Sequence, residues 1–136
     1  MSTLLIVDDD AGIRRLLAEF LEDEGFQVRL AENGAQAVQL SHSTHPDLIL
    51  MDLRMPIMDG ATAIRLVKSD PATDHIPIIA MSAERNLRDP LTKLLSDGVV
   101  AKPFDMDALI KQVRRLLAAA TAEKVAHPVG GLTEST

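Results

Sequence analysis

The 136-residue sequence contains no cysteine, no tryptophan and no tyrosine. Without cysteine there is no disulfide, no zinc–thiolate site and no thiol nucleophile. With no tryptophan or tyrosine to stack on bases, and no run of lysine and arginine to follow a phosphate backbone, direct nucleic-acid binding is not expected. Long hydrophobic runs are missing too. The first apolar stretch, Leu4 to Val7, is stopped by aspartates and is too short for a signal peptide or a membrane span. A cytoplasmic protein with no membrane contact is the expectation. The net charge of −6 favours solubility and says little about function.

What is present is a core's worth of apolar residues, 46% of the chain, in a length that suits one domain with a short remainder. Leu4-Leu5-Ile6-Val7 does not alternate and reads as a strand buried on both faces. Asp8-Asp9-Asp10 follows, with Asp10 reading as the N-cap of a helix whose stripe is Ile13, Leu16, Leu17, Phe20 and Leu21. Gly25 ends that helix, and Phe26 to Ala31 alternates as a half-exposed edge strand. Asn33-Gly34 opens a helix through Leu40, and His45-Pro46 leads into a third strand, Leu48 to Asp52. Asp59-Gly60 begins a helix that Asp70-Pro71 ends, and Ile76 to Met81 is a fourth strand. A short helix over Pro90–Ser96 with Asp89 as its cap, a strand at Val99–Ala101 and a final helix capped by Asp105 complete the domain at about residue 120. Residues 121–136 read as a flexible tail with no output domain.

Five strands alternating with helices predict a parallel sheet covered on both faces. In such a sheet ligands bind beyond the carboxyl ends of the strands. Those ends carry Asp8-Asp9-Asp10, Asp52, Ser82 and Lys102. Two carboxylates about 4 Å apart repel by about 4 kcal/mol at an effective dielectric near 20, so the cluster requires a cation. Oxygen ligands suit magnesium, with manganese an acceptable substitute, and Asp8, Asp9 and Asp52 would hold it. Lys102 adds a compact positive charge, and Ser82 a hydroxyl that can report on the state of Asp52. Such a set can transfer a phosphoryl group to the Asp52 carboxylate. His42 and His45 lack a third ligand and do not read as a metal site.

Val7-Asp8-Asp9, Met51-Asp52 with Met55-Pro56 and Asp59-Gly60, Ala80-Met81-Ser82-Ala83, and Ala101-Lys102-Pro103-Phe104 together resemble the receiver domain of bacterial response regulators, over about Leu4 to Ala120. The resemblance implies an α/β, flavodoxin-like, doubly wound sheet of strand order 2-1-3-4-5. It implies that Asp52 accepts phosphate from a sensor histidine kinase. Magnesium would be held by Asp8, Asp9, Asp52 and the backbone carbonyl of Arg54, with Ser82 as switch hydroxyl and Lys102 pairing with the phosphate. It also implies a cis bond before Pro103 and a tuning of phosphate lifetime by Arg54 and Glu84.

Two features depart from the family. Val99 stands where receivers commonly carry Tyr or Phe, and its β-branched side chain is stiff at χ1. The segment between Ser82 and Lys102 is a couple of residues shorter than usual. The expected activity is that of a stand-alone, chemotaxis-type switch with no enzymatic turnover beyond its own phosphorylation and dephosphorylation. Its readout would be the face made by the helix after strand four, strand five and the final helix. That face would address a protein target or a phosphotransfer protein, and a homodimer formed on phosphorylation is a further expectation. A receiver-like interaction module that no longer uses phosphate is the alternative. A phosphatase with an aspartyl intermediate fits less well, because Ala11-Gly12 follows the aspartates and no cap domain encloses a substrate.

Overall fold

A computed structural model describes residues 1–83, 96–103 and 105–126 of the chain. Five parallel strands, β1 (Thr3–Val7), β2 (Gln27–Ala31), β3 (Leu48–Asp52), β4 (Ile78–Ala83) and β5 (Gly98–Lys102), form one sheet in the order β2-β1-β3-β4-β5. The described helices are α1 (Ala11–Asp23), α2 (Gly34–Thr44), α3 (Gly60–Ser69) and α4 (Met106–Ala126). The doubly wound order matches the expectation from the sequence.

Successive residues of a strand face opposite sides, so each central strand builds two cores. Leu5, Val7, Ile49, Met51, Ile78 and Ala80 pack with Ala37 of α2 and with Ala63, Ile64 and Val67 of α3. Leu4, Ile6, Leu48, Leu50, Ile79, Met81 and Val100 pack with Leu17 and Leu21 of α1 and with Leu109, Val113 and Leu116 of α4. Two covered faces explain why the sequence of β1 and β3 is apolar without alternation. β2 is an edge strand, and Leu30 on it is exposed.

Most helix ends follow the capping residues read from the sequence. Asp10 accepts from Gly12 N and Ile13 N, Asn33 from Gln36 N, and Asp59 from Thr62 N. Gly25, at φ +99°, ends α1 in a Schellman arrangement: its N–H reaches the Glu22 carbonyl while Phe26 N–H reaches Leu21.

Several boundaries differ from expectation. β4 starts at Ile78 rather than Ile76, because Pro77 has no N–H for the ladder and Ile76 N–H closes a turn onto Thr73. Leu16 lies outside the α1 stripe and is exposed, whereas Leu17 and Leu21 are buried. The last helix continues past residue 120 to Ala126. Ala118-Ala119-Ala120 and Ala122 have high helix propensity, so the helix persists where its apolar stripe has ended. The helix predicted over Pro90–Ser96 lies, apart from Ser96, outside the described residues.

Two polar ties join elements distant in sequence. Lys68 of α3 donates to the carbonyl of Ile76 and to Asp97, whose carboxylate also accepts Ile78 N–H. His42 of α2 bonds the Val38 carbonyl through Nδ1 and Asp70 through Nε2 at 2.6 Å. Both of its partners are acceptors, so this arrangement requires both ring nitrogens protonated. The hydrogen bond to Asp70 accordingly raises the His42 pKa, and the same bond lowers that of Asp70. His42 therefore ties the end of α2 to the end of α3.

Candidate functional site

The site lies beyond the carboxyl ends of β1 and β3, where the strand order reverses. β1 and β3 pair with Val7 opposite Met51, so Asp8 and Asp52 follow side by side. Both continue the rows Leu4–Ile6 and Leu48–Leu50 on the α1/α4 side of the sheet. Lys102 continues the Val100 row at the end of β5, and its long stem reaches across β4. Its Nζ donates to Asp8 Oδ2 at 2.8 Å and lies 3.4 Å from Asp52 Oδ1. Asp8, Asp9 and Asp52 each bring a carboxylate oxygen within 4.8 Å of the others.

Asp8 is fully buried and every polar atom of it has a partner. Its N–H donates to Ala31 O, its Oδ1 accepts Asp10 N–H, its Oδ2 accepts Lys102, and its carbonyl accepts Arg14 Nη1 at 2.6 Å. Asp52 is 4% exposed and has less support: Arg54 N–H reaches its Oδ1 at only 3.4 Å. Burial and the charge of Asp8 push the Asp52 pKa up from 3.8 to about 6, against the lowering effects of Lys102 and the Arg54 N–H. Burial opposes the charge on Lys102, but its hydrogen bond to Asp8 and the charges of Asp52 and Asp8 raise its pKa. The pocket thus holds more negative charge than Lys102 can balance. Three oxygen donors, with Asp9 exposed at the rim, fit a hard divalent cation such as magnesium.

The remaining residues singled out in the sequence are placed as follows. Ser82 is buried on β4, one residue beyond Met81, the register partner of Asp52. Val99 is half-buried on β5 opposite Ala80, and its carbonyl accepts from Gln112 of α4. The Lys102–Pro103 bond is cis. Arg54 lines a cavity of 390 Å³ together with Asp9, Leu53, Met55, Pro56 and Asp59. Glu84 lies outside the described residues.

The loop from Leu53 to Asp59 holds features the sequence does not announce. Met58 N–H bonds Pro56 O at 2.8 Å across Ile57, whose φ is +71°, so the three residues form a γ-turn of the strained hand. A β-branched side chain at positive φ is an outlier, and Ile57 is also 85% exposed. Glycine removes the Cβ conflict at the cost of a more flexible unfolded chain. Ile57→Gly is therefore expected to raise stability by about 1 kcal/mol in urea denaturation, since almost no burial is lost. A variant less stable than the parent would show that the Ile57 side chain has a packing role in the free protein. Arg14 was also missed, although a cation in the first turn of a helix, against the dipole, was a legible signal.

No described helix is long and apolar enough to cross a membrane. Known proteins share both the sequence pattern and the fold. The chain is 37% identical over 119 residues to the regulatory protein AtoC of Escherichia coli, covering 86% of this chain and 25% of that protein. It is 38% identical over 114 residues to the transcriptional regulatory protein ResD of Bacillus subtilis, covering 84% and 47%. The chain thus spans a quarter to about half of these curated relatives. Among solved structures, the receiver domain of a Pseudomonas aeruginosa sensor histidine kinase, with a magnesium ion coordinated in its active site cleft, superposes with a TM-score of 0.81 at 28% identity, covering 86% of this chain and 98% of that one. The chemotaxis response regulator CheY4 of Vibrio cholerae superposes with a TM-score of 0.79 at 28% identity, covering 85% and 98%. Residues 4–114 match the model of the response regulator receiver domain, and with the strand-end cluster of Asp8, Asp9, Asp52 and Lys102 in place, the chain belongs to that family.

Proposed function

We propose that Asp52 is a phosphoacceptor that takes a phosphoryl group from the phosphohistidine of a sensor kinase in a magnesium-dependent reaction. The observation that carries this reading is the sharing of Lys102 between buried Asp8 and Asp52 inside a three-carboxylate cluster. A divalent ion held by Asp8, Asp9, Asp52 and the Arg54 carbonyl would offset the charge of the acceptor and of the incoming phosphoryl oxygens. An Asp52 oxygen attacks phosphorus, the bond from phosphorus to the donor nitrogen breaks, and the nitrogen keeps the electron pair and takes up a proton. Lys102 Nζ would transfer its contact from the Asp52 oxygen to a phosphoryl oxygen, and Ser82 would donate its hydroxyl to another. Arg54 and Glu84 tune how long the acyl phosphate lasts.

The phosphorylated form signals through the β5–α4 face to a protein target or to a phosphotransfer protein, in the cytoplasm and without binding DNA or membrane by itself. Val99 does not make the aromatic side-chain movement usual in receivers. Incubation with magnesium and acetyl phosphate, followed by intact mass measurement, tests the reading. The parent should gain a phosphoryl adduct and Asp52→Asn should not. A parent that gains none would instead be a phosphate-independent interaction module.

A further inference from the structure

Arg14 occupies a position that simple helix energetics disfavour. It lies in the first turn of α1, which has no acidic residue of its own, where the helix dipole repels a cation. Its guanidinium nevertheless folds back over the helix start and donates through Nη1 to the Asp8 carbonyl at 2.6 Å. That carbonyl belongs to the peptide joining Asp8 to Asp9, the two carboxylates contributed by the β1–α1 turn. Lys102 grips the side chain of the same residue from the β5 side. Asp8 is thus held by two cations, one on its side chain and one on its main chain.

The two cations differ in effect. Lys102 neutralises charge within the pocket. Arg14 contacts no carboxylate oxygen among the described residues, so its hydrogen bond constrains the backbone and not the charge balance. Rotation of the Asp8–Asp9 peptide would carry Asp9 away from Asp52, because Asp9 is exposed and its side chain has no hydrogen bond among the described residues to keep it there. We propose that Arg14 is a positioning residue of the acidic pocket: by fixing the Asp8–Asp9 peptide it holds Asp9 where a divalent cation needs it. This rests on the reading of the three carboxylates as a metal site.

Calorimetric titration of MgCl₂ into the full chain tests it, with Arg14→Met, Arg14→Gln and Arg14→Lys first compared with the parent by urea denaturation in EDTA. Groups that orient metal ligands typically change affinity by about 10- to 100-fold. Arg14→Met should bind magnesium about 10-fold more weakly with little change of stability in EDTA, and Arg14→Lys should recover part of the loss. The sign is diagnostic, because deleting a positive charge beside a cation site would by itself tighten binding. Arg14→Gln, too short to reach the carbonyl, gives the same reading if the methionine variant does not fold. Binding by the neutral variants as tight as the parent's, or tighter, makes Arg14 a bystander charge and overturns the inference while the metal site stands. A parent that takes up no magnesium overturns both.

Discussion

Gly60→Ala is expected to destabilise the protein by about 3 kcal/mol or more, since a clash with fixed backbone belongs to the severe end of overpacking. A Cβ at this position would meet the Asp52 carbonyl oxygen at 2.1 Å and the Leu53 Cα at 2.7 Å. These are main-chain atoms at the end of a central strand, so no rotamer change relieves the contact. Either α3 must lift from the sheet, losing contacts of Ala63, Ile64 and Val67, or the end of β3 must move. The second route displaces Asp52, so weaker magnesium binding alongside the lower urea midpoint would mark it as the one taken. A Gly60→Ala variant with parental stability would mean that the start of α3 can move without disturbing β3. The glycine that reads as a turn residue beside Asp59 is thus required because the helix start packs directly on the Asp52 backbone.

The second large effect has the opposite sign. Asp52→Asn should be more stable than the parent at pH 7 in the absence of divalent ions, by about 3 kcal/mol, the equivalent of a carboxylate raised by about two pKa units. The sign follows from which state holds the proton. Between 3.8, the ordinary carboxylate value, and about 6, the folded protein keeps a proton on Asp52 that the unfolded chain has released. Stability from this group is complete below the lower value and is lost as pH rises through the higher one. The gap between variant and parent should therefore be absent near pH 4, open between pH 4 and 6, and remain constant above. Magnesium at pH 7 should narrow it, because the ion stabilises only the chain that binds it. Equilibrium urea denaturation across that pH range checks the prediction. A parent more stable than the variant at pH 7 would mean that pairing with Lys102 outweighs the desolvation of Asp52.

The asparagine is expected to be the more stable side chain, yet only the aspartate can carry a phosphoryl group. On the proposed function, Asp52 belongs among residues whose chemistry is retained against folding stability. Ile57 has the same character at smaller scale, since a β-branched residue stands at positive φ beside the pocket.

The contrast between these residues also explains what could be read in the sequence. The grouping of Asp8, Asp9, Asp52 and Lys102 was legible because these residues end apolar runs, and a parallel sheet gathers strand ends at one edge. The caps Asp10, Asn33, Asp59 and Asp105 were legible because their hydrogen bonds are local. Ile57 was not, because its conformation opposes its own propensity and is imposed by the loop between β3 and α3. The tie from Arg14 to Asp8 shows in the sequence only as a cation set against the helix dipole, and the clamp from His42 to Asp70 depends on how two helices are set against each other, which no local pattern records. Helix α4 outlasts its apolar stripe because alanine propensity carries it on to Ala126.

The tie at the start of β5 bears on how this domain tolerates change. Asp97 N–H bonds the Ile78 carbonyl, the Asp97 carboxylate accepts Ile78 N–H, and Lys68 closes the same carboxylate from α3. Strand β5 is therefore registered against β4 at its first residue, independently of the chain that connects the two. A change in the length of that connection should therefore leave Lys102 beside Asp8 and Asp52.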